Sequence, residues 1–349
     1  MPLRDYIPLV LVDTGNLSRE EWLEWRRKGI GGSDAATIIG VSPFSTARDL
    51  YYDKLNIVSA VDEEDNWVQK EIGHLLEDLV AKIFSKKTGY QIYQVKKMFY
   101  HPKHSYMLAD VDYFVKLPNG KTAILEIKTT NYNAKDAWWR DGEEVVPVNY
   151  EIQGRHYMAV TNIDKVYYCC LYGNTEEEVI IRSIERDDAY EDLIVTLEGD
   201  FWENNVLAKV PPPYFENGDL VLESIRKFSG DLDKNAPSVS LNSQVTSLVS
   251  RYLELQEQKK KILLEENKIE SEQKRLRGCI LDVMGKSCSA ECTIGESSYV
   301  IEHTPSFRPI IDKDNLFRLK EQYPEIYDKF ATLSETRRFY VKKSHSKAA

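Results

Sequence analysis

Asp112, Glu126 and Lys128 are the residues whose types and spacing could do chemistry together in this sequence. They lie in a largely apolar stretch, residues 105–130, interrupted by Pro118-Asn119-Gly120, which supplies the fixed φ and the left-handed positions of a tight reversal. Folding the chain about Asn119 as an antiparallel hairpin sets Asp112 opposite Glu126, to within about one residue of register. Strand side chains alternate faces, so Glu126 and Lys128 project together while Leu125 and Ile127 turn to the apolar side. Two carboxylates and an amine on one surface suit phosphodiester hydrolysis. Hard oxygen ligands hold magnesium, the metal activates water and screens the phosphate, and the lysine orients the nucleophile or stabilises charge. The competing reading is the ordinary solvated, salt-bridged outer face of a sheet.

Several flanking segments must position these groups. Ser18 and Glu21 stand at capping-box spacing and predict a short helix over 18–28 carrying Trp22 and Trp25. Next comes Arg26-Arg27-Lys28-Gly29-Ile30-Gly31-Gly32-Ser33-Asp34, a basic, glycine-rich turn into another helix capped by Ser33 or Asp34. Exposed backbone N–H groups at a helix start, with Arg26 as a clamp, would hold an anion such as a terminal phosphate; an ordinary capped loop is the alternative. Apolar residues at Ile72, Leu75, Leu76, Leu79, Val80 and Ile83 predict a helix from Trp67 to Lys87 with a wide buried face, and Glu77 sits inside it as a candidate third carboxylate. After the hairpin, residues 148–160 read as a helix that sets Gln153 and Tyr157 four apart on one face, followed by strands at 165–172 and 178–184. The fold expected from this order is a mixed sheet flanked by helices.

At 349 residues with 42% hydrophobic content, the chain can bury one large or two modest cores. No apolar run approaches the roughly 20 residues that span a bilayer, and the start lacks a signal peptide's features, so a cytoplasmic protein without a membrane partner is expected. Five cysteines do not make a secreted disulfide framework, and reduced thiols follow. A net charge of -10 argues against coating nucleic acid nonspecifically, yet it leaves room for a locally basic cleft whose metal-binding carboxylates add negative charge.

Pro211-Pro212-Pro213 is expected to close a first domain over residues 1–213, with a linker at 214–240. A long helix follows at 241–285. Leu248, Leu255, Ile262, Ile269, Leu276 and Val283 repeat every seven residues, while the alternate row is polar in the middle, which suits contact along one narrow stripe better than a two-row zipper. Residues 286–349 read as a small α+β tail: a hairpin around Gly295-Glu296-Ser297, two short helices and a last strand at 338–341.

Over about residues 20 to 175 the sequence resembles the phage YqaJ-like recombinases, relatives of lambda exonuclease in the PD-(D/E)XK nuclease superfamily. The residues carrying the likeness are Arg26 with Gly-Ile-Gly-Gly-Ser33-Asp, Gly73-His-Leu-Leu-Glu77, Leu-Ala-Asp-Val-Asp112, Leu-Glu126-Ile-Lys128-Thr and Gln153-Gly-Arg-His-Tyr157-Met-Ala-Val. The resemblance implies a restriction-endonuclease-like core and a metal-dependent exonuclease that degrades one strand of duplex DNA from a 5′ end, working beside a single-strand annealing protein. By the same resemblance Glu77, Asp112, Glu126 and the Ile127 carbonyl take the metal-ligand places, for two magnesium ions with manganese as an alternative. Lys128 takes the catalytic lysine's place and Gln153 the motif glutamine's, while Arg26 and Ser33 match the residues that hold the 5′ phosphate. Tyr157 and Asp110 stand as supporting residues, since Asp110 shares the face of Asp112 and Tyr113 replaces the glycine usual after the first carboxylate. A homo-oligomer is also implied, a trimer being the form of lambda exonuclease-like relatives. Two other readings share the hairpin: a Cas4-like or helicase-linked nuclease, whose iron–sulfur cluster needs four cysteines that this spacing does not provide, and a non-catalytic DNA-end-binding module.

Overall fold

The computed structural model describes residues 5–57, 67–230, 232–233, 235–307 and 311–331. The chain divides into two compact units, Met1–Lys234 and Asn235–Ala349. The first is mixed α/β. Strand β1 (Leu9–Asp13) leads into helix α1 (Arg19–Arg26), α2 (Gly32–Ile38), α3 (Ala47–Lys54) and α4 (Trp67–Thr88), then strands β2 (Gln91–Tyr93), β3 (Lys97–Tyr100), β4 (Leu108–Asp110), β5 (Tyr113–Lys116) and β6 (Thr122–Thr129). A small ribbon of β7 (Trp139–Arg140) and β8 (Glu143–Glu144) precedes α5 (Val148–Thr161), β9 (Lys165–Leu171), β10 (Val179–Glu185) and α6 (Asp188–Phe201).

The main sheet runs β10-β9-β6-β5-β2, antiparallel except for the parallel pair β6 and β9. Both faces are covered. Val80, Ala81 and Phe84 of α4 pack on Tyr113, Leu125, Ile127 and Cys169, while Met158 and Val160 of α5 pack on Phe114, Ile124, Val166 and Cys170. This explains why Ala123 through Ile127 form one buried run, as central strands covered on both sides do, with Glu126 as its single charged member.

The hairpin forms, but its first strand is divided. Tyr113 pairs with Leu125 and Lys116 with Thr122 across β5 and β6, whereas β4 pairs with β3 in a separate sheet, β1-β3-β4. Val111 and Asp112 bridge the two sheets, so Asp110 ends a strand of the smaller sheet while Asp112 sits in the junction.

Three expectations are corrected. The N-cap of α2 is Gly31, not Ser33 or Asp34; Asp34 sits in the first turn and accepts the Gly31 N–H at 2.9 Å. The wide apolar face of α4 is buried only toward its C-terminal half, since Leu75 is 72% exposed and Ile72 and Leu79 are exposed too. Residues 214–240 are not simply a linker. Helix α7 (Gly218–Ser229) packs back on α3: Ser224 Oγ donates to Asp49 Oδ1 at 2.6 Å, and Glu216 Oε1 accepts the Ala47 N–H at 2.6 Å. The first unit therefore continues past the prolines, because Arg48 also holds the Pro212 carbonyl at 2.6 and 2.9 Å.

In the second unit, α8 (Ser243–Met284), the hairpin β11 (Ser289–Ile294) and β12 (Ser297–Glu302), and helices α9 (Lys313–Gln322) and α10 (Pro324–Phe330) follow in order. The strand expected at 338–341 lies outside the described residues. All five cysteines are free. No helix among the described residues is long and apolar enough to cross a membrane.

One buried pair ties α5 to its neighbours. His156 is fully buried, with Nδ1 2.7 Å from Glu198 Oε1 on α6 and Nε2 2.8 Å from the Leu108 carbonyl on β4. Both ring nitrogens face acceptors, so the imidazolium fits. Burial opposes that charge, but Glu198 and the Leu108 carbonyl outweigh it and raise the pKa. Because the folded value lies above the unfolded one of about 6.5, the stabilisation is complete below that pH and is lost as pH rises through the folded value. His156→Ala should cost about 3–5 kcal/mol by stranding Glu198, and His156→Leu with Glu198→Leu should recover most of it. Denaturant melts of the two variants check this; equal losses would remove the pair's role.

Candidate active site and phosphate pocket

Sequence-distant segments converge on an open cavity of about 320 Å³. Among its lining residues are Arg26, Ser33, Glu77, Asp110, Asp112, Glu126, Gln153 and Tyr157, drawn from α1, α2, α4, the β4–β5 junction, β6 and α5. Lys128 stands behind this wall and reaches it through Glu126 and Gln153.

Glu126 is the centre. It is 2% exposed, and its Oε1 accepts from Lys128 Nζ and from Gln153 Nε2, both at 2.6 Å. Gln153 Oε1 accepts from Lys128 at 3.2 Å, and its Nε2 also donates to the Tyr157 hydroxyl at 3.2 Å. The four-residue spacing of Gln153 and Tyr157 on α5 makes that possible. Gly32 must lack a side chain here, for a Cβ would lie 2.6 Å from the Tyr157 ring. On the sheet side Asp112 Oδ2 accepts the Ile127 N–H at 2.8 Å, which fixes Asp112 beside Glu126.

Lys128 balances only part of the carboxylate charge. Burial and then Glu126 push Asp112 well above the usual carboxylate range, with Glu77 adding to the effect against Lys128. Glu77 is raised by burial, with Asp78, Glu126 and Asp110 contributing and His74 opposing. Burial works against the Lys128 ammonium, yet Glu126 and Asp112 outweigh it and hold the amine's pKa above its ordinary value. Glu126 Oε2 is buried and has no hydrogen-bond partner among the described residues. Among the described residues no group of three His, Cys, Asp or Glu side chains already stands arranged to hold a metal. The donor set nevertheless fits a hard divalent cation, because an unpartnered buried oxygen and mutually repelling carboxylates both gain from one. Asp110 is engaged elsewhere: its Oδ2 accepts from Trp22 Nε1 at 2.7 Å.

Beside the carboxylates lies a cationic corner. Arg26 donates to Ser33 Oγ and, at 2.9 Å, to Asp34 Oδ1. Asp34 Oδ2 meets Lys54 Nζ at 2.7 Å. Burial alone would raise the Asp34 carboxyl, but Arg26 and Lys54 hold it well below the usual range. Two cations around one anion leave a net positive charge next to the Gly31 and Gly32 backbone, which suits an oxyanion guest.

Sequence reasoning missed Thr14, His74, Gln94 and Lys96 in the cavity wall and Lys54 beneath it. His74 was readable, since it lies one turn before Glu77 on α4. The others come from loops or from another helix, with no local pattern to mark them.

Residues 21–164 match the YqaJ-like viral recombinase domain. The chain is 30% identical over 337 residues to the protein YqaJ of Bacillus subtilis (strain 168), across 95% of this chain and 97% of YqaJ. Among solved structures it is similar to the alkaline exonuclease LHK-Exo of Laribacter hongkongensis, at 22% identity and a TM-score of 0.44, covering 55% of this chain and 94% of that one. It is also similar to a phage-related exonuclease from Haemophilus somnus 129PT, at 14% identity and a TM-score of 0.39, covering 52% and 96%. The near end-to-end likeness to YqaJ and the matched domain together place this chain in the YqaJ-like viral recombinase domain family.

Proposed function

We propose that this protein is a magnesium-dependent exodeoxyribonuclease that digests one strand of linear duplex DNA from a 5′ end, supplying single strands to an annealing partner in phage-type recombination. The observation carrying this reading is the joint placement of Glu126, Asp112, Lys128 and Gln153, with Glu126 Oε2 buried and unpartnered at a cavity whose other side holds Arg26. Glu77, Asp112, Glu126 and the Ile127 carbonyl would hold the cation. When bound, it supplies a Lewis acid for the phosphoryl oxygen and lowers the pKa of water, with manganese as a substitute. Lys128, kept protonated by Glu126 and Asp112, offers a fixed positive donor to the charge that develops during attack. Gln153 holds both Glu126 and Lys128 in register, and Tyr157 steadies Gln153. Arg26 and Ser33 receive the terminal phosphate, and the end held there sets which bond meets the carboxylates. The titration behind this reading is digestion of linear duplex with and without magnesium; hydrolysis that persists in excess chelator would sink it.

The phosphate pocket makes a separate prediction. Arg26→Ala should slow digestion of 5′-phosphorylated ends by roughly 10- to 100-fold, from the loss of a charge-assisted hydrogen-bond pair of about 1.5–3 kcal/mol. Initiation at a 5′-hydroxyl should suffer much less. Matched duplexes differing only in the end group measure this, and equal proportional losses on both would make Arg26 a general backbone contact.

A further inference from the structure

Helix α8 is 42 residues long, about 63 Å at the α-helical rise, and none of its residues is buried. Its heptad row, Leu248, Leu255, Ile262, Ile269, Leu276 and Val283, is between 46% and 88% exposed. An apolar stripe of six heptads with a strict seven-residue period is the pattern that supercoils against another helix. The second row carries Val245, Tyr252 and Ile280 toward its ends and Lys259, Glu266 and Gln273 in its middle. On the outer faces charges are matched within the helix, as in Arg251 with Glu254, Lys268 with Glu265, Lys274 with Glu270 and Arg275 with Glu272. Lys259 and Glu266 make no ion pair among the described residues, and they lie two turns apart, too far to meet each other along one helix.

We propose that α8 pairs antiparallel with α8 of a second copy of this chain, about a twofold axis at Leu264. In that alignment the two rows interleave along the whole helix: Val245 meets the partner's Val283, Lys259 meets the partner's Ile269, and Glu266 meets the partner's Ile262. Each polar member of the second row then packs its aliphatic stem on an apolar side chain and keeps its head at the edge. Lys259 and the partner's Glu266 fall in adjacent layers, about 5 Å apart along the axis, close enough to pair. A parallel, in-register dimer instead sets Lys259 against itself and Glu266 against itself, so the charges of the second row favour the antiparallel arrangement. One narrow apolar row per helix suffices because each row is completed by the other copy.

The test is the mass of the full chain in solution by light scattering over a concentration series. Ile262→Asp with Ile269→Asp should halve the mass, whatever number of copies the wild type contains. Lys259→Glu or Glu266→Lys alone should each weaken association by roughly 10-fold or more, about 1.4 kcal/mol, and the double exchange should return it to within about threefold of wild type. A mass unchanged by the paired aspartates overturns the proposal. So does a double exchange no tighter than either single change, which would mean that the helices run parallel or that a different protein covers the stripe.

Discussion

Asp112→Asn is expected to abolish hydrolysis, by roughly 1,000-fold or more, while DNA binding and the fold survive, because a Lewis acid contributes several kcal/mol that a neutral amide cannot recruit. The substitution is mild locally: the remaining carbonyl oxygen can still accept the Ile127 N–H that Asp112 Oδ2 now accepts at 2.8 Å. It also removes one of the charges that burial sets against Glu126 and Glu77. Activity and metal-free stability should therefore move in opposite directions, with the melting temperature in chelator equal to or above wild type. Magnesium should raise the wild-type melting temperature by mass action and leave the variant's unchanged. Thermal melts with and without the cation, beside a digestion assay, separate a lost ligand from a damaged fold. Asp110→Ala should be milder, since Asp110, at the end of β4, accepts a hydrogen bond from Trp22 of α1. An inactive Asp110→Ala beside an active Asp112→Asn would move the ligand to position 110.

How much of this site the sequence displayed depends on how local each constraint is. The Asp112–Glu126 juxtaposition was legible because a Pro-Asn-Gly turn fixes register over few residues, and the observed pairing of Tyr113 with Leu125 sets them opposite each other. The alternation putting Glu126 and Lys128 together was legible for the same reason. The division of the first strand between two sheets was not, because Val111 and Asp112 carry no turn signal and the break is imposed by β4 pairing with β3. The capping box of α1 is a local device and appeared as expected. The cap of α2 misled because Asp34 is an acceptor recruited three ways, by Gly31, Arg26 and Lys54, and two of those partners are set by tertiary packing. Helix α7 was legible but overshadowed by the proline run: Asn217 caps it and Val221, Ile225 and Phe228 recur at helical spacing, and Ser224 and Glu216 dock it on α3. Apolar periodicity located α4 but overstated its burial, since periodicity reports a face and not what covers it.

Lys128→Met should lower kcat by roughly 100- to 1,000-fold with little change in KM or in the magnesium dependence of melting. Lys128 Nζ lies 2.6 Å from Glu126 Oε1, 3.2 Å from Gln153 Oε1 and 4.9 Å from the Tyr150 ring centre. These contacts hold the ammonium in one place before substrate arrives, so it can stabilise developing charge with little reorganisation. Its pKa stays above the ordinary lysine value because Glu126 and Asp112 outweigh burial, which favours the ammonium and a charge-stabilising role over that of the base taking the water's proton. The activity of wild type should accordingly show no fall assignable to this amine between neutral and mildly alkaline pH. Methionine keeps the stem's volume but leaves Glu126 with Gln153 as its remaining donor, which makes the carboxylate freer for a cation and keeps metal binding intact or stronger. Lys128→Arg preserves the charge while its broad fork does not fit between Glu126 and Gln153, so it should recover only part of the lost rate. Single-turnover digestion measures the chemical step directly. If that rate holds in Lys128→Met and only substrate affinity drops, Lys128 is a phosphate contact and the transition-state role assigned to it is wrong.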